Sequence, residues 1–123
     1  MEEEIRQEKS NIILDMTFNY ALQVIAYTEQ LESAKKYVIA KQLFRSGTSV
    51  GANVREAQYA ESKVDFIHKL KIAEKEANET EYWLMLCKQS QNFPFEEKLL
   101  TDILAIKKVL SRIITTTKQS LSK

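Results

Sequence analysis

Cysteine, histidine and proline each occur once in this chain of 123 residues, and glycine twice. A lone cysteine excludes an intrachain disulfide and makes a cytoplasmic protein the simplest expectation. The lone histidine, His68, preceded three residues earlier by Asp65, cannot supply the paired Glu-x-x-His motifs of a two-metal helical cage, so no metal and no cofactor is expected. The shortage of Gly and Pro argues against a hairpin-rich β architecture, which needs turn residues every ten or so positions. An excess of charge is missing too: 18 Lys and Arg stand against 17 Asp and Glu, a formal net charge of +1. A role with nucleic acid would therefore rest on local clustering of cations. The longest apolar run, "YWLMLC", is far too short to cross a bilayer, and the acidic opening "MEEEIRQEK" has no apolar core of a secretory signal, so no membrane partner is expected.

What remains is one domain, residues 1–123, with helical periodicity almost throughout. Helices are expected over about 10–32, 37–59, 63–91 and 94–119. The first has Ser10 or Asn11 as N-cap and a stripe of Ile13, Met16, Tyr20, Val24, Tyr27 and Leu31. The second carries Ala40, Leu43, Gly47, Val50, Val54 and Ala57. The third opens on "SKVD", which resembles a capping box, and carries Phe66, Leu70, Ala73, Ala77, Thr80, Leu84 and Cys87. Pro94 suits the first turn of the fourth, whose stripe is Leu99, Ile103, Ile106, Leu110, Ile113 and Thr117. Short connections predict an all-α, antiparallel, up-down-up-down four-helix bundle.

Both glycines fall in "FRSGTSVGANVREAQ", where each costs about 1 kcal/mol relative to alanine in a helix interior. A phosphate cradle lacks the lysine-then-hydroxyl ending of a P-loop. A loop breaking the helix is permitted by Gly and Asn, but the core spacing carries the helical phase through. The remaining reading is close packing: Ser46, Gly47, Ser49 and Gly51, with Asn53 adjoining, thin the helix so that a neighbour or a large ring (Tyr20, Tyr27, Phe66 or Trp83) presses against it. Beside the core stripe runs a polar seam, Ser46, Ser49, Asn53 and Glu56, and the third helix has its own flanking set in Glu74, Asn78 and Glu81. Hydrogen bonding between helices or to water accounts for it without a catalytic role.

Two further patterns point outward. The first helix has a second apolar face, with Leu14, Phe18, Leu22 and Ile25, which one protomer's core cannot bury together with the first. With Trp83 and Leu86 of the third helix these residues are expected between subunits. The last helix carries Lys107, Lys108, Arg112, Lys118 and Lys123 with no acidic residue from Ile103 onward, and the second adds Lys41, Arg45 and Arg55. A solvated surface explains them, as does a phosphate-tracking patch. No nucleophile is assembled with a base: Cys87 is expected to be buried and inert, and His68 lies about five helical turns from it, so no catalytic residue is assigned.

The runs "AKQLFRSGTSVGANVREA" and "SKVDFIHKLKIAEKEANETEYWL" resemble the bacterial four-helix-bundle 23S rRNA intervening-sequence proteins. That family is similar in turn to the accessory variability determinant proteins of diversity-generating retroelements. The likeness is dense over helices two and three and looser over the rest. It implies a homopentamer around a central channel and, by way of the retroelement relatives, binding of RNA or DNA and of a nucleic-acid-processing protein through basic surface. Those relatives look markedly more basic than a +1 chain. The expectation is therefore a non-enzymatic, self-assembling helical scaffold, accessory to a nucleic-acid process, with a protein-protein adaptor lacking nucleic-acid contact as the alternative.

Overall fold

The computed structural model describes residues 2–122, with side chains from residue 12 onward. Its elements are α1 (Glu2–Ser33), α2 (Tyr37–Ala57), α3 (Lys63–Gln89) and α4 (Glu97–Leu121), and there is no strand among the described residues. Helix α1 starts at Glu2, so Ser10 and Asn11 lie inside it and cap nothing. The reason is legible afterwards: Glu2, Glu3 and Glu4 are good helix formers whose charge complements the positive N-terminal dipole.

Each boundary has a local cause. α1 ends in a Schellman-type turn: Lys36 N–H donates to the Leu31 carbonyl and Lys35 N–H to that of Glu32, both at 2.8 Å, with Lys35 in the left-handed region at φ 65°. At α3 the Ser62 hydroxyl accepts from Asp65 N–H at 3.0 Å, as the sequence suggests, while the Asp65 carboxylate accepts from Glu61 N–H at 3.3 Å. α4 begins at Glu97 instead of Pro94. The Pro94 carbonyl is occupied by the Tyr27 hydroxyl, which donates to it at 2.6 Å, and the Glu96 carboxylate accepts from Gln30 at 2.7 Å instead of capping its own helix. Tertiary bonds to α1 thus hold residues 94–96 extended.

Each helix packs on two neighbours, α1 on α2 and α4, α3 on α2 and α4, with no close backbone approach across the diagonals. Along every neighbouring pair the register runs in opposite senses. Thr17 faces Gly51 and Val24 faces Gly47; Arg45 faces Glu76 and Glu56 faces Lys69; Glu81 faces Lys107 and Lys88 faces Glu97. One core results, with Tyr20, Leu43, Leu70, Leu84, Ile103 and Leu110 among its fully buried side chains. The hydroxyls of Tyr20 and Tyr27 reach across it to the Leu99 and Pro94 carbonyls, and no buried side-chain nitrogen or oxygen lacks a partner among the described residues.

Candidate interaction surfaces

Helix α2 runs unbroken through the glycine segment, so the broken-helix reading falls. A Cβ on Gly47 would stand 2.8 Å from both γ-methyls of Val24, and one on Gly51 3.2 Å from the Thr17 carbonyl oxygen. The close approach is therefore to α1, but what fills the notch is a valine side chain and a stretch of backbone, not an aromatic ring.

The polar seam divides. Ser46 is fully buried and accepts from the Thr80 hydroxyl at 2.9 Å, a bond joining α2 to α3. Ser49 donates to the Arg45 carbonyl at 2.5 Å and Asn53 to the Ser49 carbonyl at 2.8 Å, so both satisfy their own helix. Glu56 meets Lys69 at 3.8 Å and Glu81 meets Lys107 at 2.6 Å, ion pairs that link neighbouring helices. Ser46, Ser49 and Asn53 do not converge on a common point.

The basic residues divide as well. Arg45 is pinned between Glu76, at 3.1 Å, and Glu79, which also accepts from Trp83 Nε1 at 3.3 Å. With Lys107 held by Glu81, two of the expected phosphate contacts are already neutralised. Lys108, Arg112 and Lys118 are exposed on α4, and Lys41 and Arg55 on α2. These helices are diagonal to each other, so the two sets face opposite sides of the molecule. Lys123 lies outside the described residues. Sequence reasoning passed over Lys71 and Lys75, exposed on α3, because it sought cations within one helix. It also passed over Glu76 and Glu79, whose i, i+3 spacing on one face was the available signal for the partner of Arg45.

The apolar residues expected between subunits form two faces. Phe18 and Leu22 stand 64% and 52% exposed, with Leu14 and Ile25 half-buried beside them. Leu14, Phe18 and Ala21 line one groove with Thr48, Gly51 and Ala52 of α2, whose small side chains leave it open. Trp83 and Leu86 belong to α3, which α2 separates from α1. There the register that pairs Arg45 with Glu79 brings Val38, 80% exposed, level with Leu86.

Cys87 is buried in the core beside the Tyr27 phenol, and burial raises its thiol pKa, the condition of an inert cysteine. His68 is exposed on the same helix. No helix among the described residues is long and apolar enough to cross a membrane.

A family described as 23S rRNA-intervening sequence protein matches residues 9–113. A crystal structure at 1.70 Å of a protein of unknown function from the S23 ribosomal protein family of Bacteroides thetaiotaomicron is 44% identical, covering 87% of this chain and 98% of that one, with a TM-score of 0.81. No curated protein matches. A match over most of the four-helix core, joined to that identity across nearly all of a solved relative, places the chain in the 23S rRNA-intervening sequence protein family.

Proposed function

We propose that the chain is an antiparallel, up-down-up-down helical bundle that assembles with copies of itself into a non-enzymatic cytoplasmic scaffold, accessory to a process involving nucleic acid. The observation that carries the assembly is the pair of apolar faces, Phe18 in the α1–α2 groove with Leu22 exposed on the same helix, and Trp83, Leu86 and Val38 on the α2–α3 side. Two different patches on one molecule favour a heterologous, head-to-tail contact, and such contacts close into rings when the rotation allows. A pentamer is one such ring, and it is the form implied by the resemblance to the four-helix-bundle family. Exposed cations on α3 and α4 supply the surface for sequence-tolerant association with RNA or DNA.

The competing reading is a protein-protein adaptor with no nucleic-acid contact. It is favoured by the neutralisation of Arg45 and Lys107 by carboxylates of α3. Light scattering at micromolar concentration tests the assembly: a mass several times 14.3 kDa is expected, and the monomer mass would overturn it.

A further inference from the structure

Among the exposed cations, one set crosses between helices. The α3–α4 register, fixed by Lys88 with Glu97 and Glu81 with Lys107, continues to bring Lys118 level with Lys71. Lys71 is the like charge that lowers the pKa of Lys118. Lys75 follows Lys71 one turn along α3, and Ser111 and Thr115 are exposed on α4 within two turns of Lys118. Glu74, half-buried and felt by Lys118, is the carboxylate beside the pair. Two like charges facing each other across a groove repel until an anion sits between them, and lysines flanked by hydroxyls are a common set for phosphate oxygens. No recognised base-reading motif lies in this sequence, so the set favours backbone over base edges.

We propose that the outer groove between α3 and α4, flanked by Lys71 and Lys118, is where the phosphodiester backbone of a nucleic acid binds. This rests on the nucleic-acid limb of the proposed function and deepens it. It narrows the site from the exposed cations of α3 and α4 at large to the cleft the two helices share, and excludes the α2 cations Lys41 and Arg55, which line grooves between α1 and α2.

The test is fluorescence anisotropy with a short RNA duplex and the matching DNA duplex, titrated with the full chain at several salt concentrations. Lys71→Ala with Lys118→Ala is compared with Lys41→Ala with Lys98→Ala, a control that removes the same charge from exposed positions away from the cleft. The cleft pair is expected to weaken binding about tenfold at low salt and to lower the salt slope by about 1.8, while the control shifts affinity less than about twofold. Lys71→Arg with Lys118→Arg should retain binding, which guards against a folding artefact. Equal losses in the two alanine pairs would overturn the cleft while leaving nucleic-acid binding in place. No binding by the wild type at the lowest salt would remove both.

Discussion

At Gly47 two opposing terms meet. Alanine there gains about 1 kcal/mol of helix propensity, yet its Cβ would lie 2.8 Å from both methyls of Val24. Valine in a helix has one strongly preferred rotamer, and turning it cannot withdraw both methyls, so the helices must part. Overpacking of this kind costs about 1 to 3 kcal/mol, and Gly47→Ala is expected to lower stability by about 1 kcal/mol net. In a Val24→Ala background both methyls are gone and only a tight 3.3 Å contact with the residue-24 Cβ remains, so the same substitution should stabilise by up to about that amount. Urea unfolding of the four variants checks the reversal, and a Gly47→Ala that stabilises with Val24 in place would refute the close contact. The tyrosines give a second residue-scale outcome. Burial raises the pKa of Tyr20 and Tyr27 above the ordinary 10.0. The folded state then keeps protons that the unfolded chain releases, so this stability is whole below pH 10.0 and is lost as pH rises beyond it. Tyr20→Phe and Tyr27→Phe should each flatten the alkaline decline in unfolding free energy. An unchanged decline in both would show that these phenols do not set it.

Among the elements, helix existence was legible from periodicity and the α1 end to within a residue, whereas the starts of α1 and α4 were not. The α1 terminus turns on Lys35 in a left-handed conformation, a place where glycine is the usual signal and this sequence has none. A lysine there carries a backbone cost that glycine avoids, so Lys35→Gly is expected to stabilise by about 1 kcal/mol, read as a raised melting temperature. A fall would mean that Lys35 makes a compensating contact. The α4 start escaped. Pro94 is a proper first-turn residue by local rules, but the Tyr27 hydroxyl, 67 positions away in sequence, captures its carbonyl. Ser62 of α3, by contrast, was readable because its cap bond to Asp65 spans three residues.

The whole molecule presents its apolar faces on either side of α2, and that arrangement makes a testable difference between kinds of contact. In a head-to-tail interface Phe18→Lys disables one face and Trp83→Lys the other, and each variant alone should scatter as a 14.3 kDa monomer. Mixed, the two variants retain one good pair of faces and should form a heterodimer. An isologous interface through either face would instead leave one variant fully assembled, which would refute the head-to-tail arrangement. The candidate cations are scattered likewise: Lys41 and Arg55 line grooves between α1 and α2, whereas Lys71, Lys108, Arg112 and Lys118 are exposed on α3 and α4.

Local spacing by itself determined the four helices, the core stripes, the Ser62 cap and the excess of apolar surface on α1, because a helix repeats every 3.6 residues and each of these features lies within a few turns. It also carried the family likeness over "AKQLFRSGTSVGANVREA" and "SKVDFIHKLKIAEKEANETEYWL". Tertiary structure alone decided which neighbour each face meets. Gly47 finds Val24, Ser46 finds Thr80, Arg45 finds Glu76 and Glu79, and Lys118 finds Lys71. These pairs join residues on different helices, and the rotation and register of one helix against another come from packing of the whole core, which no single segment encodes.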